Sequence, residues 1–224
     1  MTPYLQILDT IHSHALRCGR ASKEITLIAV SKTHSVASIQ DVYQQGCRHF
    51  GENRVQEALE KMSQLPSDCQ WHFVGTLQKN KINKVLSHFQ LIHSVDSVEL
   101  AQQIAQASQQ RQLTTSILLQ VNTSLEATKH GLTGEQWEEQ LPAVIDLKGI
   151  EIKGLMTIGP LTMDQAHIRA AFAQLRELRN RWRPSMKQPH FYDLSMGMSN
   201  DYLIAIEEGA TLIRIGSAIF GSRS

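Results

Sequence analysis

The sequence lacks an excess of charge of either sign. Its 224 residues carry 22 lysines and arginines against 21 aspartates and glutamates, a formal net charge of +1. A strongly basic surface is not implied, so nucleic acid is not an expected partner. Apolar runs are short as well, and none approaches the roughly 18 residues that span a bilayer. The first twenty residues do not resemble a signal peptide, because charged and histidine side chains interrupt the continuous apolar core that such a peptide needs. We therefore expect a cytoplasmic protein without a membrane partner.

Cysteine is scarce and widely spaced, at Cys18, Cys47 and Cys69. The odd number and the absence of a C-x-x-C pair argue against a disulfide framework and against a structural zinc site. The sequence also has no H-E-x-x-H, no G-x-S-x-G and no G-x-G-x-x-G after its first predicted strand. A zinc protease, a serine hydrolase and a dinucleotide-binding fold are therefore not supported. We expect no metal site.

Eight short β-rich runs alternate with eight helical patterns along the chain. Several of the runs are almost continuously apolar, as strands covered by helices are. The alternation predicts a parallel sheet with crossover helices, either as a closed (β/α)8 TIM barrel or as an open doubly wound sheet. Eight units favour the barrel, and no linker divides residues 1–224, so we predict a single domain. The predicted strands are Thr26–Ser31, Arg48–Gly51, Gln70–Gly75, Gln90–Val95, Ser116–Asn122, Ile150–Thr157, Phe191–Ser195 and Thr211–Gly216.

A lysine, Lys32, directly follows the first predicted strand. In a barrel of this kind, functional groups lie at the carboxyl ends of the strands. Lysines are mostly surface cations, so the simplest interpretation of Lys32 is an exposed side chain. Its position favours a second interpretation, an amine set into a pocket. Burial beside another cation lowers the pKa of a lysine and makes its neutral amine available for a Schiff base.

Two serines, Ser195 and Ser199, flank Gly197 just before a predicted helix that begins near Asn200. Hydroxyl groups, a flexible backbone and a helix N-terminus together favour phosphate binding, which barrels often place after strands seven and eight. The alternative is a helix cap supplied by Ser199 or Asn200.

Arg214 and Gly216 share one face of the last predicted strand. An arginine that points into the barrel needs an acceptor, which would be a carboxylate, a phosphate or a ring nitrogen. Glu52 is the candidate carboxylate partner, and Gly216 would let a ligand approach its backbone. His72 and His93 also fall inside predicted strands, and we expect them to be hydrogen-bonded structural residues.

A lysine amine, a phosphate cradle and an inward arginine together describe a site for pyridoxal 5′-phosphate (PLP). An arginine at the pyridine nitrogen does not readily protonate it, so the ring is a weak electron sink. Such a site suits holding the cofactor, or racemisation, better than general carbanion chemistry.

The sequence resembles the pyridoxal-phosphate homeostasis proteins, whose barrel is like the N-terminal domain of alanine racemase. The similarity runs in order over nearly the whole chain. The blocks that carry it are LIAVSKT (27–33), HFGENRVQEA (49–58), WHFVGTLQKNK (71–81), IHSVDS (92–97), LLQVNTSLEATKHGL (118–132), GLMTIG (154–159) and LSMGMSNDYLIAIEEGATLIRIGSAIFG (194–221). One departure lies at 127–131, where the family more often has a serine before the lysine and a small residue after it.

The resemblance implies that seven residues surround PLP: Lys32, Asn53, Ser195, Ser199, Arg214, Gly216 and Ser217. It implies that Lys32 holds the cofactor covalently as a Schiff base and that Arg214 meets the pyridine nitrogen. Ser195, Ser199 and the backbone near Gly216 and Ser217 would hold the phosphate. Asn53 would line the same pocket.

The resemblance also implies a non-catalytic function, in which the protein buffers PLP and supplies it to PLP-dependent apoenzymes. An amino-acid racemase of the same barrel group is the main alternative, and an aldolase-like enzyme that uses Lys32 without a cofactor is another. Two-base racemisation needs an acid or base on each face of the substrate. In alanine racemases a second domain brings a tyrosine across a dimer interface, whereas this sequence stops after its eighth predicted strand. Nothing in the sequence places Tyr192 or Tyr202 over the ring, so we expect a monomeric carrier without a catalytic residue.

Overall fold

Eight parallel strands close into a barrel in their chain order, β1 to β8. This architecture is seen in a computed structural model that describes residues 1–124, 126, 129–186 and 190–221, and it confirms the predicted (β/α)8 barrel. The strands are β1 Thr26–Val30, β2 His49–Glu52, β3 Gln70–Phe73, β4 Leu91–Val95, β5 Thr115–Gln120, β6 Ile150–Met156, β7 Asp193–Ser195 and β8 Leu212–Ile215. The α-helices of the described residues are α1 Pro3–Arg17, α2 Val36–Gln44, α3 Val55–Met62, α4 Ile82–Val85, α5 Val98–Gln110, α6 Gly134–Gln140, α7 Gln165–Trp182, α8 Tyr202–Glu207 and α9 Ser217–Phe220.

Each predicted strand differs from the observed strand by one or two residues at one end or at both. The sequence pattern predicts a third helix over Glu52–Gln64, but Glu52 is the last residue of β2 and is fully buried, and α3 begins at Val55. The short helix α9 after the last strand was not predicted, because four residues are too few to show a helical period. Within the described residues, no helix is both long and apolar enough to cross a membrane.

The helices pack around the barrel through regularly spaced apolar side chains. In α1, for example, Tyr4, Ile7, Ile11 and Ala15 are buried, a spacing of three or four residues that places them on one helical face. These side chains belong to a continuous core between the strands and the surrounding helices. A smaller apolar cluster fills part of the barrel interior: Ile28, Leu91, Leu118, Met156 and Leu212.

The first and last strands form the seam that closes the barrel. Ile28 of β1 pairs with Arg214 of β8, and Ala29 pairs with Ile215. At the upper end of this seam, a Cβ atom on Gly216 would lie 3.1 Å from the carbonyl oxygen of Val30. A side chain there would require the backbone of β1 to shift by a few tenths of an ångström. The closure therefore brings the residues that follow β1 beside those that follow β8.

A β-bulge in β6 depends on Gly154. The pairing of β5 with β6 shifts there, since Ile117 pairs with Ile152 but Leu118 pairs with Gly154. Gly154 has a φ of +156°, and a Cβ atom would lie only 2.7 Å from the backbone nitrogen of Asp193 in β7. Both conditions favour glycine.

We expect Gly154→Ala to lower the free energy of unfolding by about 3 kcal/mol or more, since it adds overpacking to backbone strain. The matched control is Gly46→Ala. Gly46 also has a positive φ, +100°, but nothing lies within 4 Å of the added Cβ, so only the strain of about 1–2 kcal/mol is expected. Urea unfolding followed by circular dichroism measures both. Equal effects of the two substitutions would contradict the packing argument.

Candidate functional site

The predicted site residues that follow β1, β2, β7 and β8 meet at the carboxyl end of the barrel. Lys32 is half-buried in the turn after β1, and Asn53 follows the last residue of β2. Ser199 and Ser217 lie in the segments after β7 and β8, with their hydroxyl oxygens 3.3 Å apart. Gly216 is the N-cap residue of α9, which Ser217 begins. Barrel closure thus assembles groups that are up to 185 positions apart in the chain, the separation of Lys32 and Ser217.

A buried ion-pair network holds the chain on both sides of Lys32. Lys61 of α3 donates to the carbonyl oxygen of Ser31 at 2.8 Å and to carboxylate oxygens of Glu52 and Glu57 at 2.7 Å each. The Ser31 hydroxyl also donates to Glu52, and the Thr33 N–H donates to Glu57 at 2.6 Å. The two neighbours of Lys32 are therefore both fixed by this network.

The position of Glu52 shows that one expectation is wrong, because Glu52 is not the partner of Arg214. Its Oε1 pairs with Lys61 and Ser31 on the outer side of the barrel wall. Burial raises the pKa of the Glu52 carboxyl group, while hydrogen bonds from Lys61 and Ser31 oppose that shift. The sequence did not reveal the pairing, because it depends on how α3 folds back onto β2.

Arg214 is buried and points into the barrel, as predicted. Its Nη1 donates to the Ser195 hydroxyl oxygen, and its Nη2 donates to the carbonyl oxygen of Thr157 at 2.8 Å. Among the described residues, no carboxylate lies within 4.0 Å of its guanidinium, and Asp201 acts on it only through a longer-range charge interaction. Burial lowers the pKa of Arg214 to about 10, which leaves the group charged at neutral pH. A buried cation with only neutral contacts favours a further acceptor.

The two predicted phosphate serines do not occupy equivalent places. Ser195 is fully buried beneath the site, where its hydroxyl contacts His93 and Arg214. Ser199 lies in the segment that connects β7 to α8, beside Ser217. A role of Ser199 in capping α8 is not supported, since the N-cap residue is Asp201. Asp201 instead accepts a hydrogen bond from the N–H of Met198 and so shapes the same segment.

Asn53 has a buried side-chain oxygen, Oδ1, without a hydrogen-bond partner among the described residues. Buried amide oxygens are rarely left unsatisfied unless a ligand, an ion or water completes them. Gly75 packs directly against this residue, since a Cβ atom there would lie 2.7 Å from the Cα atom of Asn53. The backbone of Asn53 is thus fixed by its close packing against Gly75, while its Oδ1 atom can still accept a hydrogen bond from another group.

Three histidines continue inward from Ser195 as a hydrogen-bonded chain. His93 Nδ1 lies 2.7 Å from Ser195 Oγ, His72 Nδ1 lies 3.0 Å from His93 Nε2, and His49 Nδ1 lies 3.0 Å from His72 Nε2. His72 and His93 are thus hydrogen-bonded structural histidines, as expected. His49 was not predicted as a member of this chain, although it occupies the start of β2 and its side chain contacts His72 inside the barrel. Burial lowers the pKa of His72 to about 3 and lowers the pKa of His93 well below its ordinary value.

The loop that departs from the family pattern is only partly described. Ala127 and Thr128 lie outside the described residues. Lys129 donates to Glu126 Oε1 at 2.9 Å and to the carbonyl oxygen of Gly159 at 2.6 Å. The lysine of this loop is therefore anchored to the segment that follows β6.

Comparisons with known proteins agree with this fold. A family profile described as the N-terminal domain of alanine racemase matches residues 8–224. An alanine racemase of Clostridium difficile in complex with cycloserine has a TM-score of 0.76 over 95% of this chain and 58% of its own, at 12% identity. At that identity the likeness concerns the fold alone.

Closer relatives are found among proteins of about the same length. The pyridoxal phosphate homeostasis protein of Aquifex aeolicus is 38% identical over 97% of this chain and 96% of its own. The protein of the same name from Schizosaccharomyces pombe is 40% identical over 96% of this chain and 91% of its own. The structure of PipY from Synechococcus elongatus with PLP bound has a TM-score of 0.83 and 40% identity, and the match covers 94% of this chain and all of that one. The chain belongs to the family of pyridoxal phosphate homeostasis proteins.

The buried histidines predict an acid-sensitive fold. An unfolded histidine titrates near about pH 6.5, whereas His72 and His93 stay neutral in the folded barrel far below that pH. Between these limits the unfolded chain binds more protons, so the free energy of unfolding falls as the pH falls. The limiting slope is about 1.4 kcal/mol per pH unit for each histidine.

We expect His72→Leu to reduce the slope of the unfolding free energy against pH by about 1.4 kcal/mol per pH unit, the contribution of one histidine, between about pH 6 and pH 4.5. Urea unfolding at several pH values measures the slope. The matched control is His88→Leu, which replaces an exposed histidine and should leave the slope of the wild type. The same slope in His72→Leu and the wild type would contradict the argument.

Proposed function

We propose that this protein binds PLP at the carboxyl end of its barrel and acts as a carrier and buffer of the cofactor. The observation that carries the proposal is Arg214, a buried guanidinium with neutral hydrogen-bond partners, across the barrel seam from Lys32. The pyridine nitrogen of PLP is an acceptor that such a group would bind. The names of the related homeostasis proteins and the PLP-bound PipY structure support this choice of ligand.

The residues of the site fit PLP in their chemistry. We assign Lys32 as the amine that binds the cofactor covalently and Arg214 as the donor to its ring nitrogen. Asn53, whose buried oxygen lacks a partner, would complete its hydrogen bonding in the same pocket. The phosphate would lie near Ser199, Ser217 and the first backbone N–H groups of the segment that begins at Gly216. The hydroxyl of Ser195 already contacts His93 and Arg214, so we expect it to act on the cofactor through that arginine.

When bound, PLP would supply an aldehyde that can react with a neutral lysine amine, with loss of water. This chain contributes the amine of Lys32 and fixes it through its two neighbours, which the Lys61 network holds. Arg214 would donate a hydrogen bond to the ring nitrogen and keep its own proton, because a guanidinium stays charged at neutral pH. The residues therefore bind and orient the cofactor without making it a strong electron sink.

The locations of two tyrosines support a carrier over a racemase. Tyr192 lies at the opposite end of the barrel, where the guanidinium groups of Arg179 and Arg183 approach its ring. Tyr202 lies in α8, and its hydroxyl interacts with Thr10 of α1. Neither is presented to the carboxyl end beside Lys32. We propose that PLP held there is released to, or transferred to, PLP-dependent apoenzymes inside the cell.

The proposal predicts that the purified protein mixed with PLP develops the absorbance band of a lysine Schiff base. We expect Lys32→Ala to lose this band, and borohydride reduction followed by mass spectrometry should locate the label on Lys32. Lys84→Ala is the matched control, since Lys84 is an exposed lysine on α4. A wild-type protein that never binds PLP would refute the proposal.

The carrier function needs its own measurement. We expect the PLP-loaded protein to activate an apo-aminotransferase, and we expect no exchange of the α-proton in D2O across a panel of amino acids. Exchange would favour a racemase instead. Borohydride trapping with a sugar phosphate but not with PLP would favour an aldolase-like enzyme.

A further inference from the structure

His49, His72 and His93 lie at successively higher positions along neighbouring strands, from the amino end of the barrel toward its carboxyl end. The register pairs His49 with Gln70, two residues below His72, and pairs His72 with Leu91, two residues below His93. Each step to the next strand is therefore also a step toward the carboxyl end. The chain starts at the amino end of β2 and ends at Ser195 and Arg214.

The lower end of this chain opens into a cavity of about 550 Å³ at the amino ends of the strands. His49 is half-buried there, and its Nε2 is the one imidazole nitrogen of the three rings that the chain leaves outside its own hydrogen bonds. The titratable and charged groups that also line the cavity are His72, Lys153, Arg183, His190, Tyr192 and Asp193. Upper and lower ends are thus joined by one continuous line of contacts.

The chain has only two neutral arrangements, because each neutral imidazole has one N–H donor and one bare nitrogen. In the first, the Ser195 hydroxyl donates to His93 Nδ1, and each Nε2–H donates to the next ring below. In the second, every proton is reversed, and His93 Nδ1–H donates to Ser195. Reversing one link forces the reversal of all the others, since no ring can donate through both nitrogens while it is neutral.

The Ser195 hydroxyl decides between the two arrangements. Its described partners are His93 Nδ1 and Arg214 Nη1, and the arginine can only donate. In the second arrangement the oxygen would accept from both, and its own proton would be buried without an acceptor, which is costly. In the first arrangement it accepts from Arg214 and donates to His93, so every group is satisfied.

We propose that His93, His72 and His49 are positioning residues that form one polarised hydrogen-bond chain, which holds the Ser195 hydroxyl as an acceptor for Arg214 and so orients the guanidinium toward the cofactor. The orienting part is independent of PLP, whereas the consequence for the cofactor rests on the proposed function. The low pKa values of His72 and His93, caused by burial, agree with a chain of neutral rings.

The polarity of the chain is tested by long-range ¹H–¹⁵N NMR of the histidine rings in the wild-type protein without cofactor. We expect all three rings to be neutral and to carry their proton on Nε2. A proton on Nδ1 of His93 at neutral pH would overturn the proposal. This measurement needs no variant and no PLP, so its result stands whether or not the proposed function does.

The orienting effect is tested with His72→Leu and His72→Gln. Leucine cuts the chain, whereas glutamine carries both a donor and an acceptor and can continue it. In the protein without cofactor, we expect resolved guanidinium proton signals of Arg214 in the wild type and in His72→Gln. In His72→Leu we expect these signals to be averaged by faster rotation. Unchanged signals in a folded His72→Leu would overturn the proposal, and if that variant does not fold, the histidine tautomers of His72→Gln decide instead.

The same variants bear on cofactor binding. We expect PLP to bind His72→Leu about ten- to a hundredfold more weakly, the loss typical of a hydrogen bond to a charged group, with a shifted absorbance maximum. His72→Gln should recover most of both, and His88→Leu is the matched control. A PLP affinity and a spectrum of His72→Leu equal to those of the wild type would overturn the positioning role while leaving PLP binding intact. If the wild type binds no PLP, the proposed function fails and the two NMR measurements alone decide on the chain.

Discussion

The pairing of the first strand with the last is the constraint on which the candidate site depends. Lys32 follows β1 and Arg214 belongs to β8, and the two strands run side by side only because the sheet closes. An open sheet would leave them at opposite edges. Gly216 eases this approach, since a Cβ atom there would lie only 3.1 Å from the carbonyl oxygen of Val30. The architecture therefore creates the site from residues that are remote in the chain.

The polar groups inside the barrel are arranged to keep one positive charge without an opposite charge in contact. Arg214 is stabilised by a hydroxyl, a carbonyl oxygen and the more distant Asp201. Lys61, the other buried lysine or arginine among the described residues, lies between two carboxylates outside the barrel wall. The two cations thus differ in their surroundings: Lys61 fixes the backbone around Lys32 through charged partners, whereas Arg214 has neutral hydrogen-bond partners.

Much of the fold and part of the site could be predicted from the sequence. The alternation of strands and helices indicated eight units, and the carboxyl ends of the strands pointed to Lys32 and to the residues after β7 and β8. Period-two patterns also indicated that Arg214 points inward. These inferences needed only the order of elements and one general property of barrels. The assignment of the seven cofactor-binding residues remains a prediction.

The remaining features depend on how strands are staggered around the barrel, which the sequence does not state. Glu52 pairs with Lys61 rather than Arg214, because its side chain lies on the α3 side of the wall. Ser195 lies beneath the site, one layer below Ser199, because β7 ends at that level. The contact of His49 with His72 depends on a shift of two residues between β2 and β3. Period-two patterns tell which face a side chain occupies but not its height in the barrel.

Closure through the first and last strands also sets when this protein becomes able to hold a ligand during its synthesis. Lys32 leaves the ribosome about 180 residues before Arg214, a separation read from their positions, and contacts between such distant segments form late in folding. Until β8 pairs with β1, the lysine has neither its opposing arginine nor a completed pocket. A ligand that spans the seam binds only the closed barrel and stabilises it by mass action. A ligand bound at the seam would thus indicate, in a cell, that β8 has been synthesised and has paired with β1.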